Sequence, residues 1–230
     1  KNTDAGKILK RYSFFTSGEA KPTTYHDFHR HQGRYIALYA RLLNNQGKFK
    51  AVQSFLKQHI AEIRDQNLYL NTRLDYLETL MFGGQLQEFE QEALPLYKEL
   101  KSLRKPMLRS KLAGVIAQYY TNIGAYKQAA NFYRDKQSLA KHQNDKLNQR
   151  IASAGLGIIY SRLGSKTKAY KYFHQALSLA ESIGDRNGYA KALLDLGVLH
   201  KNAGKYHEAL ESYQRSLTIA RQLGNKLLCS

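Results

Sequence analysis

Glycine recurs along this chain at a fixed interval, and the residues around each glycine recur with it. Gly84, Gly124, Gly164 and Gly204 follow one another at intervals of 40 residues, and Gly47 precedes Gly84 by 37. Small or apolar residues lie seven positions before each glycine, and further apolar residues lie five, nine and sixteen positions after it. Repetition at this period predicts a solenoid, because a single unit cannot bury its own apolar face and must stack on its neighbours.

The last unit indicates that each repeat consists of two helices. Apolar residues recur at helical spacing from Tyr189 to Leu199, and the pattern stops around Gly204. Glycine is favoured just past a helix end, where the backbone often turns left-handed. A second apolar stripe runs from about Tyr206 to Leu223. Each repeat is therefore predicted to be a helix-turn-helix hairpin.

We predict an all-α protein, a right-handed superhelical solenoid with a cap or lead-in over residues 1–32. The five hairpins are expected at about residues 33–66, 70–105, 110–145, 150–185 and 190–226. The repeat register predicts that five apolar side chains are buried: Leu156, Tyr160, Phe173, Leu196 and Tyr213. It predicts that three lysines stay exposed: Lys111, Lys191 and Lys201.

The order of residue types in the last units resembles the tetratricopeptide repeat. The last unit carries the pattern Leu196-Gly197-x2-His200-x3-Gly204-x-Tyr206-x2-Ala209-x3-Tyr213. Three residues depart from the family pattern: His200 and Lys166 stand where an aromatic residue is usual, and Phe89 stands where a small one is usual. We expect looser or shifted helix packing at these places.

The 40-residue period exceeds the 34 residues of the basic tetratricopeptide unit. It resembles the subclass found in bacterial signalling proteins and kinesin light chains. The resemblance implies a non-enzymatic module that binds a protein or peptide, as the sensory or scaffolding region of a larger bacterial regulator.

The formal net charge of the chain is +18, and it is unevenly distributed. Residues 1–50 carry +7 and residues 101–150 carry +9, whereas residues 51–100 carry −4. Blocks of positive charge attract acidic partners, so an acidic protein or peptide is one candidate ligand. The alternative is non-specific binding of nucleic acid, although the variable side chains from repeat to repeat provide no base-reading code.

No catalytic motif is present, and no cofactor is predicted: the chain lacks a His-Glu-x-x-His sequence, a phosphate-binding glycine loop and a nucleophile elbow. The one weak metal candidate is the histidine set His26, His29 and His31. Three imidazoles can hold a transition metal, but Arg30 and Arg34 add positive charge that opposes a cation. A polar lead-in to the first hairpin is the competing interpretation.

The lead-in over residues 1–32 mixes basic and aromatic residues, which suits either a cap on the first repeat or phosphate and base contacts. No segment is apolar enough to span a bilayer. The chain begins at Lys1 and shows no signal peptide, so we expect a piece of a longer protein. Its compartment, cytoplasm or periplasm, is left open.

In a tetratricopeptide-like hairpin the first helix lines the concave groove. The register then places the following candidate partner-binding residues there: Arg34, Arg41, Asn45, Asn71, Lys111, Gln118, Asn122, Arg162, Lys191, Lys201 and Asn202. Asn45, Asn122 and Asn202 share one register position, where an amide can bind a peptide backbone or can simply terminate a helix. The Lys/Asn/Arg clamp of chaperone-binding relatives is not matched.

Overall fold

The protein, described here by a computed structural model, is helical over the whole described range, which covers the backbone of residues 25–224 and the side chains of residues 33–224. It is an all-α protein built of helical hairpins, a fold shared with solenoid proteins, with no strand among the described residues. The helices are α1 Tyr25–Asn45, α2 Phe49–His59, α3 Gln66–Phe82, α4 Leu86–Ser102, α5 Pro106–Asn122, α6 Tyr126–His142, α7 Lys146–Arg162, α8 Lys166–Ser182, α9 Arg186–Asn202 and α10 Tyr206–Gln222.

The predicted glycines terminate the first helix of every hairpin. All five have positive φ, between 70° for Gly47 and 80° for Gly84, a conformation that costs glycine nothing and other residues about 1 kcal/mol or more. A second left-handed position lies between hairpins, and the sequence prediction missed it in two places. Arg104 and Asn144, with φ of 50° and 53°, hold the position that Gly184 holds later in the chain.

Aspartate begins three of the first helices. The carboxylates of Asp65, Asp145 and Asp185 each accept a hydrogen bond from the backbone N–H three residues later, at 2.7, 2.9 and 2.8 Å. This N-cap satisfies one of the amide groups that the first turn of a helix leaves without a partner. The caps and the left-handed residues together fix where each hairpin begins and turns.

The chain divides into two compact units, residues 1–99 and residues 100–230, and the division falls in the last turn of α4. In unit 1, Ile36 and Ala40 of α1 pack with Val52 and Leu56 of α2. A short 3-10 turn, Ile60–Glu62, follows α2, which is only 11 residues long. The shorter second helix accounts for the 37-residue spacing of the first two glycines.

In unit 2, the hairpins α5–α6, α7–α8 and α9–α10 stack in sequence. One cluster joins Ala117 and Tyr133 of the first of these hairpins to Leu156 and Ile159 of the next. Another joins Phe173 of α8 to Leu196 and Leu199 of α9. The core of unit 2 is thus continuous from hairpin to hairpin, as a solenoid requires.

Leu156, Phe173 and Leu196 are buried as predicted, and Lys111, Lys191 and Lys201 are exposed. Two predictions of burial were wrong, because Tyr160 and Tyr213 are only half-buried. Tyr160 lies near the surface with its ring stacked on Tyr172 at 5.4 Å and the Lys168 ammonium 5.3 Å from its centre. Tyr213 lies on α10, the last helix that the structure describes, and packs on Gly197.

The departures from the family pattern are accommodated without disrupting the helices. Phe89 is completely buried, so the second hairpin, α3–α4, holds a large residue where the other hairpins hold alanine or valine. His200 contacts Tyr170 edge-on at 5.1 Å, with its Nδ1 atom 3.2 Å from the tyrosine hydroxyl. Lys166 is exposed. None of the described helices has both the length and the apolar character needed to cross a lipid bilayer.

Candidate ligand-binding surface

The first helices of unit 2, α5, α7 and α9, lie next to one another, and their exposed faces form one surface. We call it the first-helix surface. All the residues of unit 2 that the sequence predicted there are exposed: Lys111, Gln118, Asn122, Arg162, Lys191, Lys201 and Asn202. The amide of Gln118 donates to Asn122 Oδ1 at 2.9 Å, so two of these side chains already bind each other.

The first-helix surface also carries apolar side chains that the sequence prediction missed. Their exposed fractions are large for aliphatic residues: Met107 69%, Leu147 47%, Ile151 37%, Leu194 37% and Val198 44%. The sequence contained a signal for some of these residues, because Ile151 and Leu194 are adjacent in sequence to the buried residues Ala152 and Leu193. Apolar side chains among lysines can bury part of a ligand while the charges orient it.

Burial shifts the pKa values of several titratable groups in unit 2, among them Lys136 and Asp195. The Lys136 ammonium, 4% exposed, donates to the Ser110 carbonyl at 3.2 Å and to Asn148 Oδ1 at 2.6 Å, which ties α6 to α5 and α7. Burial lowers the pKa of Lys136 to about 8; the nearby Asp145 acts in the opposite direction, and Lys111 adds repulsion.

Asp195 lies on α9, one turn after Lys191, where α5 and α7 have Val115 and Gly155. Burial raises the pKa of Asp195 to about 6, and the Lys191 ammonium only partly offsets this effect. The carboxylate therefore carries a reduced charge in mildly acidic solution, in an otherwise basic surface.

In unit 1 the structure brings two of the predicted residues together. Arg34 of α1 and Asn71 of α3 line a cavity of about 300 Å³ together with Asp65, Asn67 and Leu68. Asn71 donates to the Asn67 carbonyl at 2.7 Å. A cavity with an exposed guanidinium, a carboxylate and amides can hold a group that both donates and accepts hydrogen bonds.

The other predicted residues of unit 1 lie apart from this cavity. The Nε atom of Arg41 lies 3.0 Å from Asp75 Oδ2, so this guanidinium is already paired. Asn45 is exposed and is the last residue of α1. Asn122 and Asn202 also end their helices, so the repeated asparagine remains compatible with both peptide binding and helix termination.

No group of three or more His, Cys, Asp or Glu side chains suited to a metal occurs among the described residues. The weak candidate set His26, His29 and His31 lies outside the described side chains, and residues 1–24 lie outside the described backbone.

The geometry agrees with comparisons to known proteins. The sequence model of the family described as Tetratricopeptide repeat matches residues 148–222, which span α7 to α10. No curated protein sequence gives a significant match.

Several solved structures share the fold at low sequence identity. BtubC (BKLC) from P. vanneervenii aligns with a TM-score of 0.77 at 14% identity, over 96% of this chain and 90% of that chain. A Rap protein complexed with Competence and Sporulation Factor aligns with a TM-score of 0.75 at 16% identity, over 86% of this chain but only 56% of that chain. Nearly identical TPR-like repeats of a kinesin light chain type from Podosopora anserina align with a TM-score of 0.65 at 16% identity, over 82% of this chain and 95% of that chain.

The glycine-terminated hairpins, the stacked core and the matched residues 148–222 lead to the same conclusion. Residues 148–222 match the tetratricopeptide repeat family, and the described residues share the fold of solved tetratricopeptide-type structures.

Proposed function

We propose that the chain is a non-enzymatic module that binds a protein or peptide segment along the first-helix surface of unit 2. The observation that supports this proposal most directly is the composition of that surface. Exposed aliphatic residues, including Leu147, Ile151 and Val198, alternate with the exposed bases Lys111 and Lys191. An extended segment with apolar and acidic side chains would be complementary to both features.

Similarity of fold supports the same proposal. The Rap protein with this fold was crystallised with Competence and Sporulation Factor, so a scaffold of this kind can hold another molecule. We further propose that the chain is the sensory or scaffolding region of a larger bacterial signalling protein. The support for this wider role is the 40-residue period, which resembles the repeats of such proteins.

The test starts with a selection from a displayed peptide library against the whole chain. The selected peptides are then measured against a double charge reversal on the first-helix surface, Lys191→Glu with Lys201→Glu. Both lysines are exposed, so the fold should be unaffected. Charge complementarity mainly accelerates association, so we expect a lower association rate and a weaker dependence of that rate on salt.

The matched control is Lys127→Glu with Lys171→Glu, two exposed lysines on the second helices α6 and α8. It changes the net charge by the same amount. If both double variants bound the selected peptides as well as the wild type, the first-helix surface would not be the recognition site.

A further inference from the structure

Two neighbouring turns of unit 2 form a strongly basic edge that the proposed function does not use. The edge consists of Lys101 at the end of α4, Arg104 in the following turn, Lys141 at the end of α6 and Lys146 at the start of α7. All four side chains are exposed. We call this set the basic edge.

The two turns lie side by side because Lys136 joins the helices that follow them. Its ammonium group lies 3.2 Å from the carbonyl oxygen of Ser110 on α5 and 2.6 Å from the side chain of Asn148 on α7. The first turns of α5 and α7 are therefore neighbours, and the charges of the two turns act on the same region of solvent.

The two turn segments contain only one acidic residue that could neutralise the basic edge, and its carboxylate already accepts hydrogen bonds from the start of α7. The segment 100–106 contains no acid, and the segment 140–146 contains only Asp145. Asp145 caps α7, with its two carboxylate oxygens 2.9 Å from the Asn148 backbone nitrogen and 2.6 Å from the Asn148 side-chain nitrogen. Burial acts to raise the pKa of Asp145, but these hydrogen bonds and Lys136 lower it, so the cap stays ionised.

The corresponding turn before α9 is different. It contains Glu181 and Asp185, and Asp185 Oδ2 lies 3.0 Å from Arg150 Nε. The hairpin fold therefore does not require a basic turn, and the turn before α9 lacks the excess of bases that the other two turns carry.

The neighbouring side chains indicate which kind of anion fits. Met107 and Leu147, the second residues of α5 and α7, are 69% and 47% exposed and connect the basic edge to the first-helix surface. The segments 100–111 and 140–151 contain no Phe, Tyr or Trp on which a nucleic-acid base could stack. Bases beside aliphatic residues favour a protein segment over a nucleic acid.

We propose that the basic edge binds a run of acidic residues in the partner, next to the apolar residues that lie on the first-helix surface. The proposal rests on the proposed function, because it assigns the partner segment a second contact beyond that surface. The acidic run enters at the basic edge, and the apolar part follows Met107 and Leu147 onto α5 and α7.

The test uses two labelled peptides that share eight residues of alternating Leu and Ser, preceded in one by four Glu and in the other by four Gln. Fluorescence anisotropy at low salt measures their binding to the whole chain. We expect the Glu peptide to bind at least about tenfold more tightly than the Gln peptide, because four charges meet four bases. That difference should shrink in high salt.

The edge variant is Lys101→Glu with Lys146→Glu, and the matched control is Lys127→Glu with Lys171→Glu. We expect the edge variant to remove the preference for the Glu peptide and the control to keep most of it. Equal losses in the two variants, or equal binding of both peptides by the wild type, would overturn the proposal.

A third variant tests the proposed function separately from the basic edge. A surface variant of unchanged net charge, Ile151→Asn with Leu194→Asn, should weaken both peptides equally if the apolar part binds the first-helix surface. If it weakens neither while the edge variant still removes the Glu preference, the basic edge stands and the proposed surface does not. If neither peptide binds the wild type, both proposals are overturned for this ligand chemistry.

A 12-residue thymidine oligonucleotide and vesicles containing phosphatidylserine complete the set of probes. Binding of either probe that depends on Lys101 and Lys146, with no preference for the Glu peptide, would overturn the proposal in favour of phosphate groups. The expected result is that both probes bind the edge variant and the control variant alike, since diffuse attraction depends only on net charge.

Discussion

The two units of this protein satisfy their charged side chains in different ways. In unit 1, residues 51–100 contain eight acids and four bases. Two of those bases are paired there: Lys57 Nζ lies 3.2 Å from Glu88 Oε1, and Arg73 Nη1 lies 2.8 Å from Glu99 Oε2. Positive charge in this region is largely neutralised within the unit itself.

In unit 2, residues 101–150 contain eleven bases and two acids. Both acids are engaged, since Asp135 lies 2.6 Å from Arg109 and Asp145 caps α7. The hairpins of the two units are nevertheless alike, so the fold does not require either balance. From this difference we infer that the excess positive charge of unit 2 is available to bind a ligand.

One hairpin of unit 1 and one hairpin of unit 2 fill their cores differently at one pair of positions, seven residues before and nine residues after the hairpin glycine. The hairpin α3–α4 has Leu77 and Ala93 there, both buried. The hairpin α7–α8 has the opposite order in Gly157 and Phe173, and a methyl group on Gly157 would lie 2.6 Å from the phenylalanine ring. The repeat preserves the combined volume of the pair rather than the identity of either residue.

The largest expected effect comes from converting the pair of the hairpin α7–α8 towards that of α3–α4. Phe173→Ala alone should lower the free energy of unfolding by about 3–5 kcal/mol, because it empties a buried site. Adding Gly157→Leu should recover about half of that loss, since the leucine refills the space. Urea denaturation followed by circular dichroism measures both changes. A double variant less stable than Phe173→Ala would contradict the volume pairing.

The second prediction compares the buried polar side chains of the two units. Unit 1 buries a neutral amide, Gln53, bonded to the Thr79 carbonyl at 3.0 Å, whereas unit 2 buries the Lys136 ammonium. The folded pKa of Lys136 is about 8, below its ordinary value of 10.5, so the unfolded state binds more protons between these values. Stability should therefore rise by about 2 kcal/mol from pH 7.5 to 9.5.

Lys136→Met should lack this rise, and the difference between its stability curve and that of the wild type isolates the lysine from other titrating groups. The Gln53→Leu variant serves as the control in unit 1. A rise of the same size in wild type and Lys136→Met would show that the buried ammonium is not its source.

Asp195 should produce a smaller effect of opposite sign. Its folded pKa of about 6 lies above the ordinary 3.8, so the folded state binds more protons between these values and stability falls as the pH rises through them. Asp195→Asn should be about 1–2 kcal/mol more stable than the wild type at pH 7, discounted for partial exposure. At pH 4 the two proteins should differ little. Thermal denaturation at the two pH values tests this expectation.

The smallest effect concerns the left-handed turn residues. The turn within each hairpin uses glycine in both units, whereas the left-handed position between hairpins is held by Arg104, with φ of 50°, and later by Gly184, with φ of 66°. Arg104→Gly should stabilise the protein by up to about 1 kcal/mol, and Gly184→Ala should destabilise it by about the same amount. Matched urea titrations compare them. Destabilisation by Arg104→Gly would mean that its side chain contributes more than its backbone costs.

The sequence predicted best those structural features that recur in each repeat. The glycine spacing located the ends of the first helices, and the apolar register identified Leu156, Phe173 and Leu196 as core. It failed for Tyr160 and Tyr213, which occupy apolar register positions but are half-buried. Periodicity describes a helix face and cannot tell what covers it.

The exposed residues of the first-helix surface were only partly predicted. The prediction selected polar residues of the first helices, such as Lys111 and Lys191, and did not name the exposed aliphatic residues Ile151 and Val198. The left-handed position of Arg104 was also missed, because arginine gives no compositional signal for that conformation. Whether the predicted side chains bind a partner remains a prediction.

Within several hairpins, the second helix is joined to the first by a bond between residues 26 positions apart. Lys136 donates to the Ser110 carbonyl, Ser216 donates to the Ala190 carbonyl at 2.8 Å, and Arg109 pairs with Asp135. These links lie within single hairpins. Under a pulling force applied to the chain ends, we therefore expect lengthening in steps of about one hairpin, each step breaking the links within that hairpin, as in an extensible spring.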